Sequence, residues 1–404
     1  MTRAASVFVG CKVSQADAEA ALDALRARGA GVAGRREDAD LVVVHTCCVT
    51  REAEKKSRRL TRSLARDGRR VVVAGCAATL HPGQFSGPGV EVLGERGWDE
   101  VLALDDGGRD VDGAGQTAPG RTRLVLKVQD GCAGRCSYCA VRLVRGVPRG
   151  EPLGVALARA AKGLARGCGE VVVSGIDLGA WHDGDLGLPD LVRELAALPG
   201  LARLRLSSLE PRHVDTPLAG ALADPRVARH VHVPLQSADD RVLAAMRRPY
   251  TFAEYERRIS GLREAVGDLM VSTDVIVGFP GESDAAFART LAALRSGLFG
   301  RVHVFAFSAR PGTAAAALPA LPAGLVRERR GAALAAAADA AAAARRAAFG
   351  RLAEVLVEDR RDGLLRGYSS HYIRYFVDGE AKPGTMVRAT AFEDHKDGVR
   401  ARPA

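Results

Sequence analysis

Three cysteines stand close together between Leu124 and Gly150: Cys132, Cys136 and Cys139, spaced C-x3-C-x2-C. The preceding LVLKVQ (124–129) reads as a strand and a glycine turn follows it, so the three thiolates can face one small volume. Thiolates are soft ligands that select iron–sulfur clusters, zinc or copper(I). A closed zinc site or an electron-carrying cluster takes four protein ligands, so a trio leaves one metal position open for chemistry. A zinc knuckle is the plainer alternative, but no second C-x2-C or H-x3-H lies nearby to complete it.

A second trio is dispersed. Cys11 follows the strand SVFVG (6–10), Cys47 follows LVVVH (41–45) by two residues, and Cys76 follows VVVAG (71–75). Ligands in open α/β sheets gather at the carboxyl ends of the strands, so the three thiols converge on one sheet edge. Cys48 and Cys168 remain. Neighbours in extended backbone point to opposite sides, so Cys48 is expected to face away from Cys47, and both leftover cysteines read as plain thiols.

The elements that position these groups fall into three blocks. Residues 1–102 alternate strands with helices (15–28 and a basic 51–66) and end on VEVLG (90–94), the pattern of a parallel, doubly covered sheet. Residues 103–120 are a Gly- and Asp-rich linker. Residues 121–349 repeat the βα pattern six times: 124–129, EVVVSG (170–175), RLRLSS (203–208), HVHVPL (230–235), STDVIVG (272–278) and RVHVFAF (301–307). Six units predict a partial (βα)6 barrel with its active face at the strand ends. The Ala/Arg-rich 313–349 predicts a helix packed across that barrel or leading out of it. Residues 350–404 change to short strands (352–358, 364–369, 372–378, 386–392), which predict a small antiparallel β-barrel. The fold class is therefore α/β with a small all-β domain at the end.

The net charge of +10 points to an anionic partner. Residues 51–70 carry nine Lys or Arg against three acids, and 121–149 carry seven against one. Arg58, Arg59 and Arg62 on the first patch and Arg142, Arg145 and Arg149 on the second are candidates for phosphate contacts. Tyr372 beside Arg374 could stack on bases. The start, MTRAASVFVGCK, shows no signal peptide and no apolar run reaches membrane length, so the reading is a cytoplasmic protein with reduced cysteines.

With these motifs in view, the chain resembles the radical S-adenosylmethionine (SAM) methylthiotransferases nearly end to end. The resemblance rests on GCKVSQAD, HTCCVT, AGCAA, the C-x3-C-x2-C loop with Tyr138 before its last cysteine, RLSSLEP, HVHVPLQS, STDVIVGFPGES and FAFSARPGT. The last block resembles a TRAM domain. GCKV at 10–13 with Gln15 is most similar to the branch that modifies threonylcarbamoyl-adenosine in tRNA. Other branches act on isopentenyl-adenosine in tRNA or on a ribosomal-protein aspartate. Ser14, His45, Cys48 and Gly150-Glu151 depart from the usual pattern.

The resemblance implies two 4Fe-4S clusters, one on Cys132, Cys136 and Cys139 and one on Cys11, Cys47 and Cys76. The first binds SAM and yields a 5′-deoxyadenosyl radical; the second carries sulfur to C-2 of an adenine. Tyr138, Glu210 and Gln236 are candidates for contacts to SAM. A tRNA anticodon loop and an electron donor such as flavodoxin or ferredoxin are the implied partners. A non-catalytic iron–sulfur protein, or a zinc-bearing RNA-binding protein, is the reading from a different class.

Overall fold

The valine runs 42–44 and 71–73 are wholly apolar because both faces of the sheet they build are covered, and every one of these side chains is buried. The computed structural model describes residues 2–93 and 121–404. The expected linker and the end of the first block lie outside the described residues. Strands β1 (Arg3–Phe8), β2 (Gly31–Val32), β3 (Leu41–Thr46), β4 (Arg70–Gly75) and β5 (Val90–Val92) form one parallel sheet in the order β2-β1-β3-β4-β5. Helix α1 (Lys12–Ala27) starts directly after Cys11, and α2 (Arg51–Arg66) starts after Thr50, whose hydroxyl accepts from Ala53 N–H. Helix α2 buries Glu54, Ser57, Thr61 and Leu64 and turns its Lys/Arg face outward.

The middle block is an arc of six parallel strands: β6 (Arg123–Lys127), β7 (Glu170–Ser174), β8 (Arg203–Leu206), β9 (His230–His232), β10 (Met270–Val277) and β11 (Arg301–Ala306). Single bridges, Leu204 to Val227 and Ser208 to His232, join its two three-stranded halves. Strand β9 ends sooner than its sequence suggests because Pro234 has no N–H for the ladder. The chain rejoins the arc at Gln236, which bridges Val275. Outward positions such as Leu124, Leu126, Val171, Val173, Val271, Val275 and Val302 pack in the main hydrophobic core. The alternate, inward positions are mostly polar. The Ala-rich segment forms one long helix, α3 (Ala323–Arg346), packed on β11 and anchored where buried Arg329 meets Glu282 at 2.8 Å.

The final block is a closed barrel of five strands, one more than the sequence suggested: β12 (Leu352–Arg361), β13 (Leu364–Ser369), β14 (Arg374–Val377), β15 (Met386–His395) and β16 (Gly398–Pro403), in the order β12-β13-β14-β16-β15. The fifth strand hides in the basic run GVRARP, where only Val399 and Ala401 are apolar and both point inward. This barrel closes the strand-start end of the arc. Arg203 and Arg205 donate to the carbonyls of Glu354, Tyr368, Ser369 and Ser370, and both pair with buried Glu170. The N-terminal sheet docks along the first arc strand through Lys127–Asp17 (2.6 Å) and Arg121–Glu19 (2.6 Å). No helix among the described residues is long and apolar enough to cross a membrane.

Candidate active site between two cysteine sets

The C-x3-C-x2-C loop leaves β6 through Gly131, whose φ of 72° and close approach to the backbone of Val147 leave no space for a Cβ. Cys132 N–H donates to Gly146 O (3.1 Å), Ser137 Oγ donates to Ala245 O (2.8 Å), and Cys139 N–H donates to Cys136 O (3.2 Å). The loop is thus pinned on both sides. All three sulfurs are partly covered. Burial pushes Cys139 up to about 12 and Cys132 up to about 11. Such thiols keep their protons until a metal displaces them.

The second trio converges as well. Register carries Phe8 beside His45 and Thr46 beside Gly75, which sets the three following turns on one edge. Gly10, at φ 143°, lies so close to Cys47 that a Cβ there would touch that residue's Cβ at 2.9 Å. Cys11 is the outermost of the three and Cys47 the most buried. Burial pushes Cys47 up to about 12, and the neighbouring Cys11 and Cys76 act in the same direction. Cys76 moves the other way. It accepts from Cys48, against the effect of burial, and Arg145 adds its charge and an Nε donor at 3.2 Å. Cys48 therefore sits beside the trio through Cys76, while its side chain keeps to the side of Val42 and Val44, as alternation from Cys47 requires. Its own thiol is packed in an apolar cluster with Val42, Val71 and Ala140. Cys168 is buried in the main core, with its thiol on Arg121 O at 3.5 Å.

One side chain links the two trios. Arg145, on the short helix after the loop (Val141–Arg145), reaches Cys76 and is held there by Asp17 (2.8 Å) and Asp130 (3.1 Å). A cavity of about 140 Å³ lies beside Cys139 of the loop set and is lined also by Cys48, Tyr138, Gln236, Asp274 and Arg310, among others. Three thiols per set, near enough to act on one another's charge, fit the thiolate demand of iron–sulfur clusters with one iron left open.

The other expected residues fare unequally. Gln236, held at φ 69° with its N–H on Asp274 O (2.8 Å), and Tyr138 both line the cavity. Glu210 is already engaged: Arg248 binds it at 2.5 Å and also donates to Cys136 Sγ at 3.4 Å. Arg248 escaped the sequence reading because a basic residue in RRPY carries no motif. Asp177, whose carboxylate lies 3.7 Å from Cys132 Sγ and pairs with Arg212 and His213, was missed for the same reason.

On the surface, Arg59 and Arg62 are exposed and border an open groove with Lys55, Lys56 and Arg66. Arg142 and Arg149 are also exposed, whereas Arg58 is tied to Gln84 at 2.6 Å. Three candidates need correction. The Arg145 side chain is only 9% exposed and is spent on Asp17, Asp130 and Cys76, so it is not a phosphate contact. Tyr372 faces the arc interior under Arg205 (4.5 Å) and against His230 (5.0 Å), not solvent. Arg374 is bound to Asp397 and to Tyr368 Oη.

Comparison with known proteins agrees with this geometry. Residues 126–294 match the Radical SAM superfamily, and residues 3–91 match the uncharacterized protein family UPF0004. Among solved structures, the radical S-adenosylmethionine methyltransferase TsrM from Kitasatospora setae, with cobalamin and a 4Fe-4S cluster bound, shares the fold at a TM-score of 0.56. It covers 78% of this chain and 77% of its own at 18% identity. The arc and its cysteine loop define a radical-SAM enzyme, a transferase that uses SAM and 4Fe-4S clusters. Two curated relatives extend over nearly the whole chain. The threonylcarbamoyladenosine tRNA methylthiotransferase MtaB of Thermotoga maritima is 34% identical over 95% of this chain and 94% of its own. The tRNA-2-methylthio-N(6)-dimethylallyladenosine synthase of Cereibacter sphaeroides is 33% identical over 96% of each. The chain belongs to the radical-SAM tRNA methylthiotransferase family.

Proposed function

We propose that this enzyme places a methylthio group on C-2 of threonylcarbamoyl-adenosine next to the anticodon of tRNA. The observation that carries the reading is the presence of two three-cysteine sets joined by Arg145, which belongs to the loop of one set and touches Cys76 of the other. A single set suits SAM cleavage; a second set beside it suits delivery of sulfur to the same substrate. Similarity to the Thermotoga relative and the GCKV segment support the threonylcarbamoyl branch.

In this reading Cys132, Cys136 and Cys139 hold one 4Fe-4S cluster and Cys11, Cys47 and Cys76 the other. When bound, the clusters and SAM supply one-electron carbon–sulfur cleavage and the sulfur to be transferred. The chain's own residues position and enclose. Arg248 orients Glu210 and lends positive charge to Cys136. Tyr138 and Gln236 wall the cavity beside Cys139 and keep water from a reactive carbon centre. The exposed Lys55, Lys56, Arg59 and Arg62 face supplies phosphate contacts, and a single-stranded anticodon loop makes it cheap to turn the target base out. A small reductant such as flavodoxin or ferredoxin completes the cycle. The division at 1–102, 121–349 and 350–404 belongs to this proposal.

Nucleoside mass spectrometry of tRNA from a deletion strain tests it. The methylthio form of threonylcarbamoyl-adenosine should vanish, with its unmodified parent accumulating. Loss of methylthio-isopentenyl-adenosine instead, or an unchanged tRNA profile, would overturn the substrate.

A further inference from the structure

Three neighbouring strands of the arc bring imidazole and carboxylate groups together in its interior. Val231, Val271, Val275 and Val302 pack in the outer core, so alternation turns His232, Asp274 and His303 inward. Asp274 stands beside His303 in the β10–β11 ladder, and His232 beside Ser272 in the β9–β10 ladder. One oxygen of Asp274 lies 3.1 Å from His232 Nε2 and the other 2.9 Å from His303 Nδ1. The ligand atoms of the three residues all lie within 4.8 Å of one another.

Asp274 differs from its neighbours in the company it keeps. Glu170, Asp177, Glu210, Asp239 and Glu282, carboxylates of the same block, each pair with an arginine. Asp274 has no Lys or Arg within ion-pair distance among the described residues; the two imidazoles are what reaches it. Imidazole carries no fixed charge at neutral pH. Hydrogen bonds from it therefore satisfy the two oxygens but leave a part-buried negative charge without a permanent counter-charge.

A divalent ion supplies that charge, and the spacing suits one. Two donors about 2.1 Å from an ion and cis to each other are about 3.0 Å apart, which matches both nitrogen–oxygen distances. Ser272 Oγ lies 2.9 Å from His232 Nδ1 and 2.9 Å from His230 Nε2. With its proton given to His230, the hydroxyl accepts from His232 Nδ1–H and leaves the lone pair of Nε2 facing Asp274. An outer partner that fixes ring and tautomer in this way is the usual companion of a metal-binding histidine. The His303 side chain is 43% exposed, so an ion with its waters can enter. Asp274 also walls the cavity beside Cys139.

We propose that His232, Asp274 and His303 form a mononuclear site for a divalent first-row ion, zinc or iron(II). Magnesium and calcium take oxygen ligands, whereas two imidazoles with one carboxylate suit the later metals. Three protein ligands leave positions open to water or to an oxygen of a bound substrate. The site does not depend on which tRNA base the enzyme modifies.

The test reads metal content, not turnover. Holoenzyme reconstituted with iron and sulfide is given equimolar zinc, desalted and analysed. About one zinc per chain should remain beside the cluster iron, and absorption at the zinc edge should show nitrogen and oxygen neighbours at about 2.0–2.1 Å with no sulfur at about 2.3 Å. Iron(II) as the natural occupant would appear, before zinc is added, as a mononuclear ferrous component in the Mössbauer spectrum that zinc then displaces. Asp274→Asn and His303→Ala should each weaken zinc roughly 100-fold or more in a chelator competition, since loss of even an outer partner costs about 10- to 100-fold. Cluster iron and sulfide should stay at the wild-type level in both. Should Asp274→Asn fail to fold, the partly exposed His303, changed to Ala or to Gln, decides alone. No retained zinc, sulfur among its neighbours, or an affinity unchanged in His303→Ala would overturn the site and leave the methylthiotransferase reading intact.

Discussion

Arg145 Nε lies 3.2 Å from Cys76 Sγ, a contact between the loop of one cysteine set and a member of the other. It ties the two halves of the site together directly, and it is charged. The guanidinium is held from behind by Asp17 and Asp130, which share Lys127 as a second cation. A residue with the sequence signature of a phosphate contact thus serves as the bolt between two metal-binding edges.

Replacing that bolt should uncouple the halves. Arg145→Met leaves two partly buried carboxylates with one cation between them, at a cost of about 3 kcal/mol. Thermal unfolding should show the loss, and the enzyme should make more 5′-deoxyadenosine per methylthio product than wild type. A variant with unchanged melting temperature and unchanged coupling would contradict this role.

Arg248 should govern SAM. It binds Glu210 and Cys136 together, so Arg248→Met frees Glu210 and removes positive charge beside a sulfur. The expected outcome is a KM for SAM raised roughly 10-fold, the size of one lost charged hydrogen bond, with tRNA affinity unaltered. Steady-state SAM cleavage and tRNA gel-shift assays separate the two.

The strand-start end of the arc should be acid-sensitive. Burial alone would raise Glu170, but Arg205, Arg123 and Arg203 hold it down at about 2. A carboxylate depressed in the folded chain stabilises it above the unfolded value near 4.5, and that gain is lost as pH falls from there towards 2. The amount at stake is about 3 kcal/mol. Denaturant melts of the apo-protein between pH 6 and pH 3 should steepen in wild type and flatten in Glu170→Gln; parallel curves would count against the account.

The α2 face should bind tRNA through charge. Arg59→Glu with Arg62→Glu should weaken tRNA binding and lower the slope of log K against log salt by about 1 or more per lost contact. Arg58→Glu should do less, because Arg58 already bonds Gln84. Filter binding at several salt concentrations measures both.

Much of this was legible in the sequence. Both cysteine trios could be read from their place after valine-rich strands, because strand ends converge wherever a parallel sheet forms. The six-strand arc followed from period and spacing. What stayed hidden was pairing at a distance. Nothing near Arg145 announces Asp17, more than a hundred residues earlier, and nothing near Tyr372 announces Lys12. The last strand of the C-terminal barrel was missed because alternation of small apolar with basic residues looks like a solvated tail. Cys48 keeps the alternation expected of it, and its contact with Cys76 stayed hidden because Cys76 follows another strand.

Iron counting with Mössbauer spectroscopy on anaerobically reconstituted protein tests the central claim most directly. The account predicts two 4Fe-4S clusters in wild type, and loss of one, with the other intact, when Cys132, Cys136 and Cys139 are changed to Ala or when Cys11, Cys47 and Cys76 are. A single cluster in wild type, zinc in place of iron, or a second cluster that survives both triple substitutions would contradict it.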